Sequence, residues 1–220
     1  MLTDFGRDDT YVAQLHGAIL SRNPDVRLVD LTHSIPPQDL LAAAFLLDEA
    51  IDAFPDGTIH LAVVDPGVGS DRPLVAAELG EHRFVAPDNG LLSLVAGRLE
   101  QHDLVELGTP APGSTCSNTF HARDIMGPAA ANWSLGRPLA ELGNQRQDPL
   151  ADLAFPQVIT AEKQTSGQVV HVDRFGNLIT NLSSVDLPAT DPSQLEFEIA
   201  GTRIVGLMTC YADQPAGTLL

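Results

Sequence analysis

Between Asp9 and Val63 this chain exchanges two hydrophobic periods in strict order, and that alternation limits its folds more than any other feature. From Asp9 to Arg22 the apolar residues Val12, Leu15, Ile19 and Leu20 fall on one helical face, and Asn23-Pro24 stops the helix. Val26 to Leu31 reads as a short buried strand, followed by the loop Thr32-His33-Ser34-Ile35-Pro36-Pro37. Asp39 to Ala53 repeats the helical spacing with Leu40, Ala44, Leu47 and Ile51 inward, and after the turn Phe54-Pro55-Asp56-Gly57 the residues Ile59, Leu61 and Val63 alternate as a strand. Strand, helix, strand, helix, strand with short connections predicts parallel strands joined by right-handed crossovers. The predicted fold class is therefore α/β, with a doubly wound, mainly parallel sheet in an N-terminal domain. Met1-Leu2-Thr3, leading into Asp4-Phe5-Gly6, looks like the end of a strand, whose start is expected to be missing.

Further along, Leu74 to Glu78 and Arg83 to Ala86 are predicted strands, Pro87-Asp88-Asn89-Gly90 a turn opening a helix to Leu99, and Asp103 to Leu107 another strand. A Pro/Gly/Ser-rich loop from Thr109 to Asn118 delivers Thr119-Phe120-His121-Ala122-Arg123-Asp124 to the head of a helix running past Trp133. At Gln145 the texture changes. Gln145 to Pro156 suits a linker, and Gln168–Asp173, Leu178–Asn181, Leu195–Ile199 and Arg203–Leu207 read as short strands. The expected division is an α/β domain over 1–150 and a small β domain over 151–220, incomplete at its C-terminus.

The totals exclude several function classes. Twelve Lys plus Arg against 29 Asp plus Glu give a formal charge of −17, which argues against nucleic acid or an anionic membrane as partner. The longest apolar run, Leu40 to Leu47, falls far short of the roughly 20 residues that span a bilayer. No basic region precedes an apolar core at the start, so a signal peptide is not expected. Cys116 and Cys210 stand far apart without a Cys-x-x-Cys spacing, so free thiols in a reducing cytoplasm are expected.

Val64-Asp65-Pro66-Gly67-Val68-Gly69-Ser70-Asp71-Arg72 ends a strand with a carboxylate and places a guanidinium seven residues later. The carboxyl ends of strands in an open α/β sheet are where ligands sit, although Asp-Pro-Gly is also a common turn. The segment fails as a dinucleotide fingerprint because Arg72 stands where the third glycine belongs. Asp4-Phe5-Gly6 resembles the kinase magnesium motif but has none of that motif's companions. Asp4, Asp8, Asp9, His16 and His33 are residue types that ligate metals, yet Asp8 and Asp9 are equally helix-capping acids, and no metal is expected. His121 at a helix start should titrate low. Asp4, Asp65, Arg72, Asp88-Asn89 and His121 all fall at loops predicted for one rim.

Thr3-Asp4-Phe5-Gly6, Asp30-Leu31-Thr32-His33, the Val64–Gly69 segment with Arg72, Ala86-Pro87-Asp88-Asn89-Gly90, Thr119-Phe120-His121 with Arg123-Asp124, and Asp173-Arg174-Phe175-Gly176-Asn177 with Thr180-Asn181 occur in this order. Together they resemble the S-adenosylmethionine hydroxide adenosyltransferases, relatives of the fluorinating and chlorinating enzymes. The resemblance implies hydrolysis of S-adenosyl-L-methionine to adenosine and L-methionine without a cofactor. It also implies a homotrimer of α/β and C-terminal β-barrel domains with sites at subunit interfaces. By motif, Asp65, Arg72 and His121 match the catalytic set and Asp4 the carboxylate that grips the ribose hydroxyls. Val68, Asn89, Phe120, Asp173, Phe175 and Asn177 match or adjoin residues lining the substrate site. Val68 and Ala122 fall where the halogenating relatives carry hydroxyls, and Asp65 where they carry a tyrosine, which favours water as nucleophile. Asp65 or His121 would accept its proton.

Family members continue with adenine-contacting strands beyond the equivalent of Tyr211-Ala212-Asp213-Gln214-Pro215, so a truncated β domain is expected. The competing readings are a non-catalytic S-adenosylmethionine- or adenosine-binding protein, a halide-using adenosyltransferase, and a metal-dependent hydrolase built on Asp4, Asp8 and Asp9.

Overall fold

A computed structural model describes residues 1–108, 116–162, 164–215 and 217–218. Most of the loop expected over Thr109–Asn118 lies outside the described residues. The chain divides into two compact units, one of Met1–Phe155 with Val170–Ile179 and one of Pro156–Val169 with Thr180–Leu220.

The first unit is built on a six-stranded sheet of β1 (Leu2–Thr3), β2 (Ile59–Val63), β3 (Leu74–Leu79), β4 (His82–Pro87), β5 (Gln101–Leu107) and β6 (Gly143–Gln145), in the order β1-β2-β4-β3-β5-β6. The helices are α1 (Tyr11–Leu20), α2 (Leu40–Ile51), α3 (Ser93–Arg98) and α4 (Gly127–Ser134). Alternation along each strand sends side chains to opposite faces. Ala62 and Val64 of the β2 segment join Leu47, Ile51 and Val95 from α2 and α3 in one buried cluster. Leu61 and Val63 join Leu15 and Ile19 of α1 and Trp133 of α4 in the other. Both sheet faces are thus covered by helices. Asp39 starts α2 by accepting the Ala42 N–H on Oδ1 at 2.9 Å, as an N-cap residue does.

The expectation of a mainly parallel sheet is corrected. β1–β2 and β2–β4 are parallel, whereas β4–β3, β3–β5 and β5–β6 are antiparallel, so the sheet is mixed. Only Gly80 and Glu81 separate β3 from β4, and a connection that short returns the chain antiparallel because a parallel return needs a crossover. Gly80, at φ +52°, supplies the left-handed turn residue. Val26–Leu31 also differs from expectation, since no named strand forms there. β1 offers two residues, and the segment meets it through the single bridge Leu2–Thr32, with Leu31 N–H donating to Met1 O at 2.7 Å and Thr3 N–H to Thr32 O at 3.0 Å.

Beyond β6 the described strands are β7 (Ile159–Ala161), β8 (Gln164–Ser166), β9 (Val169–Val172), β10 (Leu178–Thr180), β11 (Glu196–Ile199) and β12 (Thr202–Val205). They pair as three separate two-stranded sheets, and no closed barrel forms among the described residues. The Gln145–Pro156 stretch is anchored rather than free. Asp88 takes Arg146 Nη1 at 2.7 Å and the Ala151 N–H at 2.7 Å, and Ser93 Oγ takes the Leu153 N–H at 2.7 Å. No helix among the described residues is long and apolar enough to cross a membrane.

Candidate active site

Asp65 follows the last residue of the apolar run of β2, where the chain turns through Pro66-Gly67. The parallel register pairs Thr3 with Val63, so Asp4 and Asp65 leave neighbouring strands at the same sheet edge. The turn folds back on itself: Val68 N–H donates to Asp65 O at 3.2 Å and Ser70 N–H to Gly67 O at 3.0 Å. This brings Arg72 over Asp65. Arg72 Nε donates to Asp65 Oδ1 at 2.7 Å and Nη2 to Oδ2, a two-pronged pair with side chains only 10% and 6% exposed. The same Nη2 lies 3.1 Å from His121 Nδ1. Residues 49 positions apart in sequence thus close one network.

The guanidinium has donors only, so His121 Nδ1 is the acceptor and the neutral ring carries its proton on Nε2. Burial pushes the His121 pKa below its ordinary value and the Arg72 charge pushes it further, while Asp65 and Asp124 pull weakly upward. The expected low titration holds, though its chief causes are burial and Arg72 rather than the helix end. His121 leads into a π-turn, Ala122–Met126, that widens the start of α4. Such turns recur at functional sites. Asp124 holds the approach to this turn by accepting the Ser117 N–H at 2.8 Å and pairing with Arg123.

The other expected residues fall into four settings. Asp4 Oδ2 accepts the Gln38 N–H at 2.9 Å, where Gln38 holds φ +66°. Asn89 Nδ2 donates to Val64 O at 2.9 Å and so braces the strand end from which Asp65 projects. Phe120 is buried in an aromatic triangle with Phe5 and Tyr11, centroids 5.7 and 5.4 Å away, and Arg123 caps its ring at 4.9 Å. Asp173, Phe175 and Asn177 lie in the turn joining β9 to β10. There Asp173 Oδ1 accepts the N–H groups of Phe175 and Asn177 at 2.8 Å each, and Phe175 is 90% exposed. No hydrogen bond among the described residues links that turn to Asp65, Arg72 or His121.

Some contributors carry no plain sequence signal. Gly69 has φ +82°, and a Cβ there would stand 2.7 Å from Asn118 O, so the Asp65–Arg72 turn rests against the backbone ahead of His121. Gln38 is a left-handed non-glycine residue that no propensity announces. Asp8 and Asp9 are exposed and do not group with Asp4. A separate hollow of about 590 Å³, lined by Leu28, Phe54 and His60 among others, opens at the start of β2, away from Asp65.

The chain matches the model of the SAM hydroxide adenosyltransferase N-terminal domain over residues 1–143 and of its C-terminal domain over 167–220. It is 43% identical over 190 residues to a protein of Thermus thermophilus named (R)-S-adenosyl-L-methionine hydrolase, covering 82% of this chain and 72% of that one. A protein of the same name from Salinispora tropica is 40% identical over 179 residues, 80% of this chain and 68% of the other. A solved structure of an uncharacterized conserved protein from Thermotoga maritima superposes with TM-score 0.91 at 29% identity, covering 98% of this chain and 84% of that one. With an Asp–Arg–His network at the sheet edge and both domain models matched in order, the chain belongs to the SAM hydroxide adenosyltransferase family.

Proposed function

We propose that this chain is an enzyme that hydrolyses S-adenosyl-L-methionine to adenosine and L-methionine by attack of water at C5′, with no cofactor. The observation that carries the reading is the closed Asp65–Arg72–His121 network in a chain so similar to named hydrolases. The sulfonium leaves as a neutral thioether, so the leaving group needs no acid. Freeing hydroxide beforehand from water of pKa about 15.7 at pH 7 would cost about 12 kcal/mol, against about 1.5–3 kcal/mol returned by one charge-assisted hydrogen bond. The water is therefore held in line with C5′–S and loses its proton as the O–C5′ bond forms.

The tautomer divides the labour. With Nδ1 turned to Arg72, His121 offers Nε2–H as a donor that holds the water oxygen. Asp65, whose oxygens each keep a lone pair beyond the Arg72 contacts, accepts the proton once the attacking oxygen turns strongly acidic. Arg72 holds Asp65 aimed through its two-pronged contact, and the Asp65 carboxylate also favours the cationic substrate. Asp4 takes the ribose hydroxyls, and Val68, Asn89, Phe120, Asp173, Phe175 and Asn177 shape the rest of the substrate site.

The same reading extends to assembly: a cytoplasmic homotrimer, divided near residue 150 into a doubly wound α/β domain and a barrel-type β domain, with sites at subunit interfaces. The 90% exposure of Phe175 supports an interface role for its turn. The test is incubation with S-adenosyl-L-methionine, with and without chloride or fluoride, and identification of products by chromatography. Adenosine and methionine in equal amounts, independent of halide, are expected. Ligand-dependent thermal stabilisation without adenosine would instead establish a binding protein, and halide-dependent 5′-halogenated product a halide-using enzyme.

A further inference from the structure

Away from the Asp65 network, α1 and the segment ahead of α2 bring together two imidazoles and a carboxylate. His16 Nε2 and His33 Nε2 each lie 3.0 Å from Asp30 Oδ1, and the three donor atoms are all within 4.8 Å of one another. Metal–nitrogen bonds of about 2.0–2.1 Å at tetrahedral angles place neighbouring donors about 3.3 Å apart, close to the two 3.0 Å separations from Asp30 Oδ1.

His33 gives the second observation. It is 1% exposed, and its Nε2 has no hydrogen-bond partner because Asp30 Oδ1, though near, lies off the line of an N–H. A fully buried nitrogen without a partner is unusual and calls for a reason. Its other nitrogen, Nδ1, is 2.8 Å from Thr3 Oγ1. When Nδ1–H donates to Thr3, Nε2 keeps a bare, buried lone pair beside the Asp30 carboxylate that no described donor meets. A cation held between the nitrogen and the carboxylate would satisfy both. The ring is then oriented by a hydroxyl behind it, the arrangement that fixes histidine ligands in metal sites.

We propose that His16, Asp30 and His33 bind one divalent first-row transition cation of the zinc type, with a fourth position open to solvent beside the half-exposed His16. Two imidazoles and one carboxylate suit such ions and do not suit calcium or magnesium. The ion would clip α1 to the segment whose Thr32 and His33 carbonyls accept the N–H groups of Thr3 and Gly6, at 3.0 and 2.8 Å. It would therefore fix the strand end that carries Asp4 and touch no reacting atom.

The full chain, stripped of metal and dialysed, is titrated with Zn²⁺ alone by calorimetry and with Co²⁺ by visible absorption. One site per chain, intense tetrahedral-type Co²⁺ bands and a Tm that climbs with Zn²⁺ are expected. His16→Gln, at a half-exposed helix position, and Asp30→Asn should each weaken binding at least about 10-fold. His102→Ala, on β5, is the control and should leave binding unchanged. Absence of saturable binding, binding unaffected by H16Q and D30N, or an equal loss in H102A would overturn the proposal and leave a His–Asp–His hydrogen-bond cluster.

Discussion

Replacing Arg72 separates its geometry from its charge. Arg72→Lys keeps a cation near Asp65 but has one compact ammonium in place of the fork that reaches Oδ1, Oδ2 and His121 Nδ1. A lysine retains one of these three contacts, so two charge-assisted hydrogen bonds of about 1.5–3 kcal/mol each are lost. If that loss falls on the transition state, kcat/KM for adenosine release drops by about 10²–10⁴, at 1.36 kcal/mol per decade. Urea unfolding run in parallel shows how much of the loss is foldedness. Arg72→Gln adds the electrostatic arm, since it removes the charge that helps hold the His121 pKa down. The acid limb of kcat/KM against pH should then move upward in R72Q and stay near its wild-type position in R72K. An R72K enzyme within tenfold of wild type, or an acid limb that R72Q leaves in place, would refute the assignment of Arg72 as the residue that aims Asp65 and sets the His121 tautomer.

Three further outcomes follow from the geometry. His60, buried beside His82 and stacked on Phe84, has its pKa lowered to about 4 by burial and by His82. The folded state holds it neutral while the unfolded chain takes up a proton below about 6.5. Stability should fall as pH drops from 6.5 and level off below 4, by at most about 3 kcal/mol, and His60→Phe should flatten that slope in urea titrations at pH 7 and 4.5. Gly69→Ala places a methyl 2.7 Å from Asn118 O at a positive φ, and should lower both the free energy of unfolding, by about 1–3 kcal/mol, and adenosine release. Arg146→Ala leaves the Asp88 carboxylate, 4% exposed, without its ion pair, and should cost about 3 kcal/mol by the same unfolding measurement.

The layered fold was legible where local spacing sets structure. The helical faces of α1 and α2 and the alternation of β2 follow from residues a few positions apart. Strand direction departs from the mainly parallel expectation although its signal is present, since four residues between Glu78 and Arg83 leave no room for a crossover. The three-residue strands β7 and β8 show no period because their side chains are largely exposed. At the site, Asp65 and Arg72 share one turn, so their spacing alone suggested a pair. The Arg72–His121 contact and the meeting of His16 with Asp30 and His33 depend on how α1, α4 and the sheet edge pack, which no local pattern encodes. Asp88 falls in a loop expected at the rim, and its environment is that of an anchor for Arg146 and Ala151.

Asp88 and Asn89 are adjacent yet pull on different parts of the chain: Asn89 grips the carbonyl before Asp65, and Asp88 grips the backbone of Ala151 and the Arg146 side chain. One turn therefore braces the strand end behind the Asp65 carboxylate and fixes the course of the chain from Arg146 to Ala151. A chimera that grafts a foreign C-terminal half onto this sheet should have its seam after Leu153, because a seam at Gln145 would release the Asp88 side of the turn and let the strand end behind Asp65 drift.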